Sequence, residues 1–321
     1  MTKSRVCFYH KGCPDGIASA WCIKRKYPYS ECNFVGVPPA VNELDESLYK
    51  KKRVYFVDVC SSEKVLKKVY EKAKSVTILD HHKTYKEMLD KFDTNAYNTK
   101  IKVIFDMNRA GCQMAWDYIE ENIKRKLKKK ENPIRPFFIE YIADRDLWKF
   151  SLENSKLVNT GLHDMGYMCF DKMDEMYEKW VSKSDKKFLT DTVIPRARIT
   201  EEKNNKDIDI AVRYANRGKI DIDGKIYNVW LTSSPRHLRS DICNKLAKKQ
   251  FSDGTQPDFA VNWTYDFPTK QWWISTRTVK NDIDLAKLCA NFSDGGGHAK
   301  AAGFTIPSDS TLNDYFVYVK N

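Results

Sequence analysis

The chain has 321 residues, a length that indicates two domains or one large one, and its content of 42% hydrophobic and 13% aromatic residues argues against a disordered polypeptide. Because no apolar run reaches the roughly 20 residues of a membrane-spanning helix and the first residues lack a signal-peptide core, we expect a soluble, cytoplasmic protein with no membrane partner. The formal net charge of +12 favours an anionic partner, and the nine scattered cysteines without a C-x-x-C pair indicate reduced thiols.

The first half of the sequence alternates short apolar strands with helices. Strands are predicted at 5–10, 32–37, 53–59, 75–79 and 102–106, and helices at 15–26, 61–74, 110–130 and 136–148. Such alternation is typical of the α/β class, with a parallel sheet covered by helices on both faces. We assign this domain to residues 1–170.

The second half has a different pattern. Residues 171–217 are rich in Lys, Asp, Glu and Met without strand alternation, and they predict a helical linker. A hairpin with an Asp-Gly turn at 220–234, strands at 258–267 and 271–279, helices at 240–249 and 284–292, and a last strand at 304–306 follow. These elements predict a smaller α+β domain over residues 218–321.

Acidic and imidazole side chains stand where three of the predicted N-terminal strands end. They are His10 and, in the following turn, Asp15 after the first strand, Asp58 after the third, and Asp80, His81 and His82 after the fourth. Because ligands of parallel α/β sheets bind beyond the carboxyl ends of the strands, we expect these groups to meet at one edge. A divalent cation would remove the repulsion between the carboxylates, and mixed carboxylate and imidazole ligands suit Mn²⁺, Fe, Co or Zn. A strand-end aspartate can instead cap a helix or form a turn.

The same residues carry a resemblance to a known family. His10, the turn Pro14-Asp15-Gly16, Asp58 and the run Asp80-His81-His82 resemble the motifs of the DHH phosphoesterase superfamily, and DGGGHAKAAGF at 294–304 resembles the signature of the DHH-associated C-terminal domain. The resemblance extends over nearly the whole chain, with the motifs in the expected order. The superfamily includes nanoRNases and oligoribonucleases, single-strand exonucleases, cyclic-dinucleotide phosphodiesterases, pAp phosphatases, polyphosphatases and pyrophosphatases.

The resemblance implies a role for each N-terminal residue. The implied metal ligands are His10, Asp15, Asp58 and His81, with Asp58 bridging two ions, and a further acid from the segment IADRDLW, for which Asp144 is the first choice and Asp146 the alternative. His82 is expected to contact the substrate phosphate, and Asp80 to orient the cluster. The implied cofactor is Mn²⁺, as two ions, with Mg²⁺ or Co²⁺ as alternatives.

One position departs from the family pattern. The first motif commonly reads D-x-D-G, whereas this chain has Cys13-Pro14-Asp15-Gly16, at a slightly short spacing from His10. Cys13 is either a soft metal ligand or a bystander that leaves one ion weakly held, and we favour the bystander. This departure bears on whether two metal ions are bound, and not on the presence of the site.

In the C-terminal domain, candidate substrate contacts follow partly from physical reasoning and partly from the resemblance. Gly296 and Gly297 allow backbone N–H groups to approach an anion closely, and His298 adds a donor, although a plain glycine-rich turn would have the same sequence. Arg277 is a phosphate or base contact by resemblance, or an ordinary arginine on the sheet face. Arg236, His237 and Arg239 form a basic cluster that either contacts substrate or is solvated.

The implied activity is metal-dependent hydrolysis of phosphodiester bonds in short oligonucleotides, as in nanoRNases. Alternatives within the superfamily are a cyclic-dinucleotide phosphodiesterase, a pAp phosphatase and a polyphosphatase. A catalytically weakened nucleic-acid-binding protein is the alternative from another class, motivated by Cys13 and the basic charge. Substrate length, RNA or DNA, cleavage polarity and the oligomeric state stay open.

Overall fold

The computed structural model describes residues 3–38, 41–127 and 134–319. Contacts divide the chain into two units, Met1–Glu201 and Glu202–Asn321. Within the described ranges no helix is both long enough and apolar enough to cross a bilayer.

The first unit alternates strands and helices as far as α5. Its elements are β1 (Arg5–His10), α1 (Pro14–Lys26), β2 (Cys32–Val37), α2 (Glu46–Tyr49), β3 (Arg53–Val57), α3 (Glu63–Lys72), β4 (Ser75–Asp80), α4 (Lys83–Lys91), β5 (Lys100–Phe105), α5 (Gly111–Leu127), α6 (Phe137–Asp146), α7 (Ser155–Asp164), α8 (Phe170–Val181) and α9 (Asp185–Phe188). A single π turn at Leu189–Val193 leads into α10 (Ile194–Arg213), which crosses the boundary between the units. The predicted helix at 110–130 is confirmed to Leu127, and its last three residues lie outside the described ranges.

The five strands form a parallel sheet in the order β2-β1-β3-β4-β5, which confirms the predicted α/β class. Alternate residues of each strand enter opposite hydrophobic cores, as Phe8 and Phe56 do on one face and Cys7 and Val57 on the other. Helices therefore cover both faces. The strand order reverses between β1 and β3, and this switch point is where a doubly wound sheet opens a crevice for a ligand.

The structure differs from the predicted domain boundaries in the region 171–193. Met173 and Met176 are fully buried in the same core as Trp21, and Trp21 Nε1 donates to Asp174 Oδ1 over 2.7 Å. Helices α8 and α9 therefore belong to the first unit and do not form a separate linker. The sequence of an amphipathic helix shows that one face is apolar but not which domain that face packs against. The domain to which α8 and α9 belong could therefore not be predicted from the sequence.

The second unit is an α+β fold, as predicted. Its elements are β6 (Asn216–Ile222), β7 (Lys225–Ser233), α11 (Arg239–Lys248), β8 (Phe259–Asp266), β9 (Gln271–Arg277), α12 (Leu285–Cys289), β10 (Gly296–His298), β11 (Ala301–Pro307) and β12 (Phe316–Tyr318). The sheet order is β10-β11-β9-β8-β7-β6-β12, antiparallel except for the parallel pair β7 and β8. The β6–β7 turn has φ values of 54° at Asp223 and 78° at Gly224, which confirms the Asp-Gly hairpin.

Candidate metal centre

Three neighbouring strands end at the same level of the first sheet. Tyr9 of β1 pairs with Val57 of β3, and Val57 pairs with Leu79 of β4. The residue that follows each of them is therefore a neighbour at the carboxyl edge of the sheet, and these residues are His10, Asp58 and Asp80. The centre lies beside the switch point of the sheet, as the strand-end pattern predicts.

Asp58 is the fully buried carboxylate at the middle of this edge. Its Oδ1 atom lies 3.1 Å from His81 Nε2, and its Oδ2 atom lies 3.4 Å from His10 Nδ1. The backbone adopts φ = 54°, a left-handed conformation that aspartate tolerates better than most residues. This conformation ends β3 at Val57, two residues earlier than the predicted strand.

Asp15 is also fully buried, and it reaches the centre from the first turn of α1. Its Oδ2 atom accepts a hydrogen bond from Gly111 N over 2.7 Å, and its Oδ1 atom accepts one from Cys112 N over 2.8 Å. Asp15 therefore caps α5, while Oδ2 lies 3.6 Å from His81 Nε2. A strand-end aspartate can cap a helix or belong to a metal centre, and Asp15 does both: it caps α5 and faces the centre.

Gly111 is a residue of the centre that the sequence analysis did not identify. A Cβ atom at this position would lie 2.7 Å from Asp58 Cβ and 3.0 Å from both Asp15 Oδ2 and Ser19 Oγ. Only glycine lets the start of α5 approach the two carboxylates so closely. The available signal was the Ala-Gly pair that opens the predicted helix at 110–130, which does not by itself reveal a close contact.

Asp80 organises the two adjacent histidines. Its Oδ1 atom accepts hydrogen bonds from His81 N over 2.8 Å and from His82 N over 3.3 Å, and it lies 2.7 Å from His82 Nδ1. The carboxylate thus closes the turn after β4 and orients the His82 ring. His81 is 1% exposed and turns inward to Asp58, whereas His82 is partly exposed.

Among the described residues of the first unit, the ligand atoms form two triads that share one residue. The inner triad is Asp15, Asp58 and His81, and the outer triad is His10, Asp58 and His82; within each, one ligand atom per residue lies within 4.8 Å of the others. Ligand atoms bound to one divalent ion at about 2.1 Å are about 3–4 Å apart, so small side-chain adjustments would suffice. The shared carboxylate places two potential cation sites side by side.

Buried atoms of the centre that make no hydrogen bond within the described residues test whether a cation fits there. They include His10 Nδ1, Asp58 Oδ2 and Asp146 Oδ2. A buried polar atom without a partner costs free energy, and a cation bound between these atoms would remove that cost. Carboxylate and imidazole are also the donor types that first-row divalent metals accept. The residues present therefore fit a divalent metal ion.

The structure brings Asp146, and not Asp144, to the centre. Asp146 Oδ2 lies 3.5 Å from His81 Nε2. Asp144 faces the other way: its carboxylate accepts hydrogen bonds from Ser151 N over 2.9 Å, from Ser151 Oγ over 2.6 Å and from Leu152 N over 3.2 Å. Its geometry is that of a loop-anchoring residue, which corrects the first choice made from the sequence.

The electrostatics of the centre reflect charges crowded in a buried space. Burial raises the pKa of Asp15, and the neighbouring charges of Asp58 and Asp146 raise it further. Burial also opposes the charged form of Asp58, but the adjacent imidazoles of His10 and His81 outweigh it and hold the Asp58 pKa well below its usual range. Burial lowers the pKa of His81, yet Asp58 and Asp146 prevail and raise it to about 10.

Cys13 belongs to neither triad. Burial raises the pKa of its thiol, and the charges of Asp58, Asp146 and Asp15 raise it further. The bystander interpretation of Cys13 is the one that this geometry favours.

The predicted contact residues of the second unit lie on its sheet. Arg277 on β9 is held by hydrogen bonds from Nη1 to Thr276 O and from Nη2 to Ser240 Oγ, both 2.8 Å long. Gly296, Gly297 and His298 form the edge strand β10, with Gly297 at φ = 136° opposite Ala302. A Cβ atom on Gly297 would lie 2.6 Å from Ala301 O, so the small residues serve a close approach of the two strands.

Comparisons with known proteins give a distant relative and several likenesses of fold. No family model matches the chain. An uncharacterized protein of Acanthamoeba polyphaga mimivirus is 23% identical over an alignment of 324 positions, gaps included, which covers 94% of this chain and 67% of that protein. The sequence relative therefore carries no functional information.

Solved structures with a similar fold include RecJ from Thermus thermophilus in complex with Mn²⁺, at 11% identity and a TM-score of 0.46, covering 95% of this chain and 50% of that one. The pGpG-specific phosphodiesterase PggH from Vibrio cholerae has 11% identity and a TM-score of 0.38, covering 96% and 94%. An exopolyphosphatase-related protein from Bacteroides fragilis has 13% identity and a TM-score of 0.40, covering 97% and 88%. Likenesses this distant do not establish the family or the activity of this chain.

Proposed function

We propose that the protein is a metal-dependent phosphoesterase that hydrolyses phosphodiester bonds of short oligonucleotides. The observation that carries the proposal is the pair of triads that share the buried, left-handed Asp58. Two adjacent cations held by a common carboxylate are the arrangement that stabilises both the attacking and the leaving oxygen in a phosphoryl displacement. The resemblance of the strand-end residues to the DHH phosphoesterase motifs points to the same chemistry.

Each residue of the centre has a role in this proposal. The inner triad would hold one divalent ion, and His10 with the shared Asp58 would hold a second, with Asp146 as an additional acidic ligand. The ions would be Mn²⁺, or alternatively Mg²⁺ or Co²⁺. When bound, such ions lower the pKa of an attacking water and draw charge from the phosphoryl oxygens. His82, oriented by Asp80 Oδ1 at 2.7 Å, donates a hydrogen bond to a phosphoryl oxygen.

The second unit supplies the remaining substrate contacts in this proposal. Arg277 has its guanidinium fixed by Thr276 and Ser240, and its positive charge is proposed to attract a phosphate of the substrate. Gly296, Gly297 and His298 are proposed to contact the oligonucleotide backbone. The formal charge of +12 is consistent with a polyanionic substrate.

A substrate panel at fixed Mn²⁺ concentration tests the proposal. The panel contains dinucleotides, longer oligonucleotides, cyclic dinucleotides, pAp and polyphosphate. We expect dinucleotides and short oligomers to be hydrolysed fastest, and Asp58→Asn to abolish turnover of all of them. If another compound of the panel is hydrolysed rapidly and dinucleotides are not, the proposed substrate class is wrong, but the proposed phosphoesterase activity stands.

The alternative of a nucleic-acid-binding protein without turnover predicts a different result. Binding of oligonucleotides would then be unchanged by EDTA, and no phosphoester of the panel would be hydrolysed at any concentration of Mn²⁺, Mg²⁺ or Co²⁺. That combination of results would reject the proposed hydrolase.

A further inference from the structure

The segment that follows Asp146 has an unusual backbone. Trp148 and Phe150 both adopt left-handed conformations, with φ values of 55° and 49°. Bulky side chains avoid this region, and such residues persist only where the surrounding structure enforces them. Two of them within three residues make this segment one of the most constrained of the first unit.

Asp144 enforces this conformation through two groups, its backbone carbonyl and its side-chain carboxylate. Its carbonyl oxygen accepts hydrogen bonds from Lys149 N over 2.9 Å and from Phe150 N over 3.4 Å. Its carboxylate accepts the bonds from Ser151 and Leu152 described above. The segment is therefore folded back over the end of α6 and anchored to one buried residue, which explains why Asp144 is not available to the metal centre.

The segment lies beside the metal centre and within the same unit. Asp146, two residues before Trp148, contacts His81. On the other side, Lys149 Nζ donates to the carbonyl oxygen of Asn108 over 3.0 Å, in the loop that leads to Gly111. Contacts on both sides thus tie the segment to loops that carry residues of the centre.

The side chains of Trp148 and Phe150 form a cationic and aromatic cluster with Arg145 of α6. The Arg145 guanidinium carbon lies 4.7 Å from the ring centroid of Trp148 and 5.3 Å from that of Phe150. The two rings meet edge to face, with centroids 5.0 Å apart at an angle of 76°. All three side chains are partly exposed. Indole rings and guanidinium planes are the groups on which proteins stack unpaired nucleobases.

We propose that Trp148, together with Arg145, is the stacking surface for the nucleobase next to the phosphate at the metal centre. The inference rests on the proposed function and adds a base requirement to it: the protein recognises nucleotides rather than phosphoesters in general. Trp148 is a substrate-binding residue in this proposal, and Asp144 is a positioning residue that acts through the backbone of the segment.

The experiment compares substrates with and without a base. Trp148→Leu is assayed with Mn²⁺ on an adenine dinucleotide and on the same dinucleotide without its bases. Since stacking on an aromatic residue contributes about 1–3 kcal/mol per base, we expect kcat/KM on the adenine dinucleotide to fall roughly 10- to 100-fold. The abasic substrate should change less than about threefold, and Trp148→Phe should retain most of the activity.

Two variants serve as controls. Trp180→Leu removes a partly buried tryptophan of α8 that packs on Trp116 and Tyr177, and we expect it to affect both substrates equally. Arg145→Gln removes the cation and leaves the ring, so it should give a smaller loss that is again confined to the adenine dinucleotide. If Trp148→Leu does not fold, the comparison of the two substrates with Arg145→Gln still tests the proposed base stacking.

A binding measurement separates this inference from the proposed function. Titration calorimetry of the Mn²⁺-loaded protein should show tighter binding of AMP than of ribose 5-phosphate, and Trp148→Leu should remove the difference. This result without hydrolysis of any substrate would reject the proposed function and keep the base site. Equal affinities in the unmodified protein, or an equal loss on the adenine and abasic substrates in Trp148→Leu and Arg145→Gln, would overturn the inference.

Discussion

His81 Nε2 lies 3.1 Å from Asp58 Oδ1, across the paired ends of β4 and β3. Both side chains are at most 1% exposed, so water contributes little to their interaction. The backbone of Asp58 is left-handed, with φ = 54°, directly after β3 ends. The two potential cation sites are organised around this contact.

Asp58→Asn should remove metal binding with little change in shape, because asparagine has the same size and also tolerates the left-handed conformation. We expect activity to fall more than about 100-fold and Mn²⁺ to lose its effect on stability. Differential scanning calorimetry checks this: Mn²⁺ at 100 times its dissociation constant should stabilise the unmodified protein by about 2.7 kcal/mol. An equal Mn²⁺-induced rise of Tm in the variant would contradict a shared ligand.

His81→Ala and His82→Ala should have different consequences. His81 faces Asp58 and Asp15 in the inner triad, so its removal should weaken Mn²⁺ binding more than about 100-fold. His82 is held by Asp80 and is partly exposed, so its removal should mainly lower kcat, by about 100- to 1000-fold. Titration calorimetry with Mn²⁺ and steady-state kinetics on both variants separate the two effects. If both lose Mn²⁺ affinity equally, the different roles assigned to them are incorrect.

Asp146→Asn and Asp144→Asn form a matched pair from one helix. Asp146→Asn should weaken Mn²⁺ binding by about 10- to 100-fold and leave the metal-free protein as stable or more stable, because burial and the charge of Asp58 raise the pKa of Asp146. Asp144→Asn should lower the free energy of unfolding by about 1–3 kcal/mol through lost hydrogen bonds to Ser151 and Leu152. Urea titrations in EDTA and Mn²⁺ titrations measure both. If Asp144→Asn weakened Mn²⁺ binding and Asp146→Asn did not, Asp144 would be the metal ligand instead.

The stabilisation by Asp144 should depend on pH. Burial opposes its charge, but the hydrogen bonds from Ser151 and Leu152 outweigh burial and lower its pKa. A lowered pKa in the folded state means that the stabilisation is complete above the unfolded value of about 3.9 and is lost as pH falls through the folded value. The difference in unfolding free energy between the unmodified protein and Asp144→Asn, measured in EDTA, should be constant from pH 7 to about 5 and shrink below 4. A difference that grows as pH falls would be incompatible with this assignment.

Gly111→Ala should perturb the centre without removing a ligand side chain. The added methyl group would lie 2.7 Å from Asp58 Cβ and 3.0 Å from Asp15 Oδ2, so the start of α5 must shift away from both carboxylates. We expect a loss of about 1–3 kcal/mol in unfolding free energy and weaker Mn²⁺ binding. Gly36→Ala is the control, since its methyl group would meet only side-chain atoms of Tyr9 and Lys11 at 3.2–3.3 Å. Equal effects of the two substitutions would show that Gly111 has no special relation to the centre.

The amino-acid sequence by itself determined the α/β class and the edge of the sheet at which the centre lies. Alternating strands and helices leave few arrangements other than a parallel sheet, and its strand ends then meet at one edge. His10, Asp58 and Asp80 could therefore be grouped before their distances were known. Similarly, the Asp-Gly pair at 223–224 identified the hairpin, because that turn needs two residues that accept positive φ.

Only the tertiary structure decided which acid of α6 faces the centre. Asp144 and Asp146 are two residues apart, so they point to nearly opposite sides of the helix, and the rotation of the helix is set by packing. Burial of Phe138 and Ile142 in the core turns Asp146 toward His81 and Asp144 toward Ser151. Packing also placed α8 in the first unit and Gly111 against Asp58, because both are contacts between residues far apart in the chain, which local sequence patterns do not encode.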